Sequence, residues 1–254
     1  MPFITTTREQ IHYKDYRRDD FDSILFVLVH GAGSQYNDFH VKMRRGLQTI
    51  TLDLPAHGKS PRSSETISIE NYVKDVIAFL DALVLEKVIL VGHSMGGGIA
   101  QQIALDYPQY LQGLVLIATG AKLSVNQAII DGIINAPEAT ARQIVKWSWG
   151  KNIDEKMLQQ GVEHLLETPI DVIQADYIAC DNFDVRDRLH EIQTPTLVIA
   201  GALDKMTQLA WNQELADQIP NSTLKIFEDN GHQVHVEQVD AVTELIQMWS
   251  SKYR

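Results

Sequence analysis

Ser94 sits in Gly92-His93-Ser94-Met95-Gly96, directly after the apolar run Lys87 to Val91. A serine hydroxyl attacks a carbonyl carbon only when a base takes its proton, an acid holds that base, and N–H donors meet the negative charge that develops. The chain supplies a candidate for each role. His232 follows the apolar run Leu224 to Phe227 and the turn-rich Asp229-Asn230-Gly231. Asp204 follows Thr196 to Ala200 through Gly201, so it too lies in a loop just beyond an apolar run. The order Ser94, Asp204, His232 is the one that accompanies a Gly-x-Ser-x-Gly elbow. For the developing oxyanion the candidates are two backbone N–H groups: Ala32, in the small-residue loop His30-Gly31-Ala32-Gly33, and Met95.

Each role has a rival. Chance produces about 0.04 Gly-x-Ser-x-Gly strings in a chain of this composition, and a serine in such a turn can simply cap a helix. His235, close beyond His232, is a rival base. Glu228 and Asp229 are rival acids, but just before His232 they read equally as solvated turn residues, without the strand-end position of Asp204. His12, His40, His164 and His190 fall in stretches that read as exposed or helical, and the ring of His93 points away from its neighbour Ser94.

Positioning these groups requires strands that end near one another. Ile24 to Val29, Gln48 to Leu52, Lys87 to Val91, Leu114 to Ala118, Thr196 to Ala200 and Leu224 to Phe227 each read as a strand buried on both faces. Between them lie helical patterns. Ile69 to Leu83 repeats apolar residues at helical spacing with Ser68 as N-cap, a second helix runs from near Ser94 to about Tyr107 before Pro108, and Val239 to Trp249 marks the last. Strands alternating with helices predict an α/β fold with a mostly parallel central sheet flanked by helices. Gly92 and Gly96 leave room for a sharp strand-to-helix turn, and Gly97 and Gly98 predict close packing of the helix on the sheet.

The rhythm breaks once. From about 120 to 190 only helical patterns occur, punctuated by Pro137, Gly150, Gly161 and Pro169, so the chain divides into a first core part (1–119), a helical lid insertion (120–190) and a second core part (191–254). Trp147, Trp149, Met157 and Tyr177 of the lid are candidates to line a substrate cavity, although such residues more often form core.

Composition narrows the setting. The chain has 254 residues, 44% hydrophobic and 22% charged, as in an ordinary globular protein. A net charge of -11 argues against nucleic-acid or anionic-membrane partners. Cys180 is the only cysteine, which excludes an intramolecular disulfide, leaves a cysteine-based metal cluster unsupported and reads as a buried, inert thiol. The polar N-terminus lacks the apolar segment of a secretory signal and no run is long enough to span a bilayer, so a cytoplasmic location is expected.

Five segments together resemble the α/β-hydrolase superfamily, particularly its small single-domain esterase-like members with a helical lid. They are His30-Gly31, the loop Asp53-Leu54-Pro55-Ala56-His57-Gly58-Lys59-Ser60, the Gly92 to Gly96 elbow, Gly201 to Asp204, and Gly231-His232 followed by Glu237. The resemblance implies Ser94 as nucleophile, Asp204 as acid, His232 as base, and Ala32 and Met95 at the oxyanion-hole positions. Some members take the acid from the strand end after the elbow helix, but Thr119-Gly120-Ala121 offers no carboxylate there. Ala56 replaces the glycine usual before His57-Gly58, the segment between Gly31 and Asp53 is short, and no proline follows Asp204 at the familiar distance.

The expected function is hydrolysis of a small carboxylic ester through an acyl-enzyme on Ser94, with no metal or organic cofactor, a small-molecule ester as substrate, and neither nucleic acid nor membrane as partner. The same residues would serve a thioester, a lactone or a carbon-carbon bond, and a ligand receptor could keep the same fold. Activity should fall at acid pH, because a protonated His232 cannot accept the serine proton.

Overall fold

A computed structural model describes residues 2–17, 24–151 and 153–253. Among these residues one sheet runs in the order β1-β2-β4-β3-β5-β6-β7-β8. Its strands are β1 (Phe3–Thr5), β2 (Gln10–Asp15), β3 (Phe26–Val29), β4 (Thr49–Leu52), β5 (Val88–His93), β6 (Leu111–Ile117), β7 (Thr196–Gly201) and β8 (Ser222–Phe227). From β4 across to β8 all neighbours pair in parallel, while β1 and β2 add antiparallel at the β4 edge. The expected α/β architecture is therefore the one observed. The reading of the sequence assigned no element to residues 2–15: β2 buries only Ile11 and His12, too short an apolar signal to stand out from its polar neighbours.

Helices cover both faces. The core helices are α1 (Val41–Gly46), α2 (Ile69–Ala82), α3 (Met95–Asp106), and, after a second group, α8 (Leu209–Gln218), α9 (Val234–Glu237) and α10 (Val239–Ser250). Period-two alternation sorts each strand between the two sides. Val27, Leu90, Leu116 and Val198 face α2 and α3, whereas Leu28, Val91, Val115 and Ile199 face α1 and α10. Ser68 caps α2, its hydroxyl accepting the Asn71 N–H at 3.2 Å. Helix α3 stops at Asp106, just before Pro108, as the restriction on residues preceding proline requires.

Between β6 and β7 lie α4 (Gln127–Asn135), α5 (Pro137–Ser148), α6 (Glu155–Leu165) and α7 (Ile170–Asp181). They carry small cores of their own, such as Ile129, Ile133, Ile144 and Ile173, which also gather Ala32 of the loop after β3. Among the described residues no helix is long and apolar enough to cross a membrane.

Sheet order fixes where a site can open. From β3 the chain moves to β4 on one side, and from β5 to β6 on the other. The loops after β3 and β5 thus diverge at the carboxyl ends of adjacent strands, the switch point at which open α/β sheets bind ligands.

Candidate active site

Ser94 occupies that switch point, between β5 and the first turn of α3, with φ 53° and ψ -120°. This backbone region is costly for a residue with a Cβ and persists only where the surroundings impose it. The surroundings do so. A Cβ on Gly92 would lie 2.2 Å from the Gly96 carbonyl oxygen, and one on Gly96 would lie 2.2 Å from the carbonyl oxygen of Val29 in β3. Only glycine allows α3 to start this close to both strands. Gly97 belongs to the same contact, 2.6 Å from the Thr119 side chain if it bore a Cβ, while Gly98 packs less tightly, against Leu123 and Phe183.

His232 and Asp204 meet as expected from two different strand ends. His232 Nδ1 lies 2.8 Å from Asp204 Oδ2, both side chains almost wholly buried. Asp204 Oδ1 accepts the Met206 and Thr207 N–H groups at 2.7 and 2.9 Å, and Oδ2 also accepts the Thr207 hydroxyl at 2.8 Å. A carboxylate facing only donors stays ionised. Burial pushes its pKa up, but His232 and the Thr207 bonds outweigh burial and hold it below the usual value. Nδ1 faces Asp204 Oδ2 and, at 3.2 Å, the Thr207 hydroxyl oxygen, whose own proton is given to Asp204, so neutral His232 carries its proton on Nδ1 and Nε2 is free to take another.

Ser94 and His232 line one cavity of about 290 Å³, together with Trp149, Tyr177, Asp38 and His164. A second cavity, of about 340 Å³, meets the first at Ser94, Ala32, Tyr177 and Met206, and is walled by Trp147 and Ile129. Trp147, Trp149 and Tyr177 are thus all placed beside Ser94, each at a cavity wall. Met157 is not: it is 39% exposed on α6, because its face of that helix turns to solvent.

Ala32 and Met95 flank Ser94 from the two diverging loops. A Cβ on Gly31 would lie 3.1 Å from the Ser94 Cβ, so the His30 loop passes directly against the serine. As the first residue of α3, Met95 has no preceding helical carbonyl to receive its N–H. Ala56 keeps the backbone a glycine would have, with φ 67°.

The rivals fall away on geometry. His235 is wholly buried, its ring tilted against that of His93 with centroids 4.3 Å apart, and neither ring nitrogen has a side-chain partner among the described residues; burial and the neighbouring rings push its pKa well down. His93 donates from Nε2 toward the His232 carbonyl at 3.0 Å, and burial beside His232 lowers it to about 3, so it stays neutral. Asp229 is exposed and pairs with Lys151. Glu237 accepts the Gly231 N–H at 2.8 Å and the Gly150 N–H at 3.2 Å, which fixes the turn entering His232 and ties the segment after α5 to it. Cys180 is buried, and burial raises its thiol well above the ordinary value.

Several partners were not anticipated from the sequence. Thr207 stands three residues beyond Asp204, where its hydroxyl and N–H form a short Asx-type turn. That spacing is a legible signal. Asp38 bonds His164 of α6 and Ser34, and Asp176 of α7 reaches three groups of the core. Nothing in their local sequence marks them, since each contact joins residues more than a hundred positions apart, Asp38 to Ser34 excepted.

Comparison with known proteins identifies relatives that share the fold. The AB hydrolase superfamily protein YisY of Bacillus subtilis is 27% identical over 243 residues, spanning 89% of this chain and 91% of its own. Among solved structures, a thermophilic esterase is 27% identical with a TM-score of 0.86, covering 99% of this chain and 97% of that one. Est816, described as an N-acyl homoserine lactone degrading enzyme, is 26% identical with a TM-score of 0.84, covering 97% and 99%. The family model described as serine aminopeptidase, S33 (Hydrolase_4) matches residues 23–239. The chain belongs to this α/β-hydrolase family.

Proposed function

We propose that the chain hydrolyses small carboxylic esters through an acyl-enzyme on Ser94. The observation that carries this reading is the His232–Asp204 pair, bonded at 2.8 Å and facing the cavity into which the strained Ser94 turn opens. His232 Nε2 takes the Ser94 proton as Oγ attacks the ester carbonyl, and the Ala32 and Met95 N–H groups receive the oxyanion. Asp204 stabilises the imidazolium that results. His232 then gives the proton to the departing alcohol, and a water activated by the same nitrogen releases the acid. This chemistry needs no metal or organic cofactor.

The two cavities divide the substrate. A leaving group must depart within reach of its proton donor, and His232 borders the first cavity but not the second. The alcohol therefore lies toward Trp149 and the acyl group toward Trp147 and Ile129. Both volumes sit at the small end of ligand pockets, about 300–1,000 Å³, which favours compact substrates.

A lactone is the second reading with a specific support. Both cavities have Ser94 in their walls, so one ring could present its carbonyl there while its leaving oxygen stays tethered to the acyl chain, and Est816 is described as degrading such a compound. A fluorophosphonate should leave one adduct, on Ser94, found by peptide mass spectrometry, and a panel of short aryl esters, thioesters and lactones then ranks the substrates. A folded protein that takes no adduct and turns over no member of the panel would overturn the hydrolase reading, in favour of a receptor on the same fold.

A further inference from the structure

Three successive peptide planes carry the loop after β3, and each is held by a different group. The first contains the Gly31 carbonyl and the Ala32 N–H, which point opposite ways in a trans peptide. His30 Nε2 accepts the Leu54 N–H at 3.0 Å, so its proton is on Nδ1, which donates to the Gly31 carbonyl at 2.8 Å. That bond aims the Ala32 N–H. The second plane ends in the Gly33 N–H, which donates to Asp176 Oδ2 at 2.8 Å. The third begins with the Gly33 carbonyl, which accepts the Thr168 hydroxyl at 2.9 Å.

Asp176 and Thr168 belong to the lid side of the chain, in α7 and just before it. The same side closes on Gly33 sterically. Gly33 has φ +65°, and a Cβ there would lie 2.7 Å from Leu165 Cδ1 and 3.3 Å from Ile173 Cγ1. The loop is therefore seated against α6, α7 and the segment that joins them, with both polar groups of Gly33 taken there.

The carboxylate that holds the second plane is itself charge-paired. His57 Nδ1 faces the Pro55 carbonyl at 3.0 Å and Nε2 faces Asp176 Oδ2 at 2.8 Å. Both nitrogens meet acceptors, so both carry protons and the ring is an imidazolium. Tyr72 donates its hydroxyl to Asp176 Oδ1 at 2.8 Å, which leaves Asp176 facing only donors. Both His57 and Asp176 are inaccessible to solvent, where removing either partner of an ion pair strands the other charge.

We propose that Asp176 is a positioning residue for the oxyanion hole: through Gly33 it fixes the Ala32 N–H, so the lid completes the catalytic site and is not merely a cover. This rests on the reading of Ala32 as an oxyanion donor. A donor misplaced by a fraction of an ångström weakens the transition state while leaving substrate contacts elsewhere intact.

The test compares wild type, Asp176→Asn, Thr168→Val and Asp171→Asn on a short aryl ester, with active sites titrated by a fluorophosphonate. Asp171 lies on the same helix and joins it to Arg62 at the surface, away from Gly33, so it controls for a general loosening of α7. Asp176→Asn should lower kcat about 10- to 100-fold with KM changed less than twofold. Affinity for a trifluoromethyl ketone, whose hemiketal oxyanion needs the same donors, should fall in proportion to kcat/KM, while inhibition by the carboxylate product stays unchanged. Thr168→Val should show the same pattern more weakly, and Asp171→Asn none of it. If Asp176→Asn does not fold, Thr168→Val carries the comparison. Equal kcat in a folded, titratable Asp176→Asn, or losses of ketone and product affinity in equal measure, overturns the inference alone; a wild type that takes no adduct removes the ester-hydrolase reading beneath it.

Discussion

Replacing Asp204 by asparagine isolates what the carboxylate does for His232. Asp204 Oδ1 accepts two backbone N–H groups, from Met206 at 2.7 Å and Thr207 at 2.9 Å. An asparagine amide cannot face those donors with its nitrogen, so its oxygen takes the Oδ1 place. The amide nitrogen must then stand where Oδ2 was, 2.8 Å from both the Thr207 hydroxyl and His232 Nδ1. There it donates. Thr207 can turn its hydroxyl to accept, but His232 can accept only by giving up the proton on Nδ1, which moves the ring proton to Nε2. Nε2 is the atom that receives the Ser94 proton in the proposed mechanism, and in this tautomer it has no lone pair to offer.

The loss in a serine triad whose histidine is held in the wrong tautomer is about 10,000-fold in kcat, or about 5.5 kcal/mol at 1.36 kcal/mol per tenfold. Stability should change little, because both backbone donors keep their acceptor. Asp204→Ala makes the contrast: it orphans the buried Thr207 N–H, at about 1–3 kcal/mol, together with the part-buried Met206 N–H, and should lower the melting temperature as well as activity. The assay is steady-state hydrolysis of an aryl acetate at pH 8, with thermal unfolding alongside. An asparagine variant retaining more than a tenth of wild-type kcat would refute the tautomer reasoning, and so would one that unfolds as easily as the alanine variant.

The remaining expectations follow from strain, charge and volume. Ser94→Ala keeps the costly φ 53° and should match wild type in stability, whereas Ser94→Gly relieves about 1–3 kcal/mol of strain less about 0.5–1 kcal/mol of glycine entropy and should unfold at higher denaturant. Burial would lower the His57 pKa, but Asp176 raises it above the usual value, so this pair's stabilisation is complete below about pH 6.5 and is lost as pH rises through the raised folded value. Melting curves of wild type and His57→Gln should therefore converge on the alkaline side, and parallel curves would contradict the charged pair. Ile129→Trp narrows the second cavity and should shift preference toward acetyl over hexanoyl esters by about tenfold or more, leaving dependence on the alcohol unchanged; an altered alcohol preference would reverse the assignment of the two cavities.

How much of this could be read from the sequence depends on the distance over which each feature is encoded. The inner strands are legible because each is buried on both faces and so reads as an unbroken apolar run, as in β5 and β7. Asp204 is legible because it follows such a run by a few residues; His232 follows β8, an edge strand that is only partly buried and carries Thr223 and Lys225, so the expected burial on both faces fails there although the strand itself forms. Thr207 was within reach, since a threonine three residues beyond an aspartate often closes an Asx-type turn. Asp176 was not. It lies inside α7, a helix buried on several sides, where an aspartate looks like any polar residue until His57, Tyr72 and Gly33 arrive from other parts of the chain.

The same contrast explains why the elbow and its opposing loop use glycine so heavily. Ser94 and Ala32 come from strands that separate beyond the switch point, so nothing in the sheet ladder sets the distance between the proposed nucleophile and the proposed oxyanion donor. Side-chain volume must set it instead. Gly96 lets α3 approach the Val29 and His30 carbonyls, and Gly31 lets the opposing loop pass where a Cβ would lie only 3.1 Å from the Ser94 Cβ. A methyl group at Gly96 would lie 2.2 Å from the Val29 carbonyl oxygen and force the two loops apart, whereas one at Gly31 would displace its contact with Ser94 by a few tenths of an ångström. Once volume has brought the loops together, only hydrogen bonds can aim them, and those come from residues outside the sheet: His30 for one plane, Asp176 and Thr168 for the next two. In this fold closeness is written locally, as glycines beside the motif, while orientation is written at long range, in a helix inserted between β6 and β7.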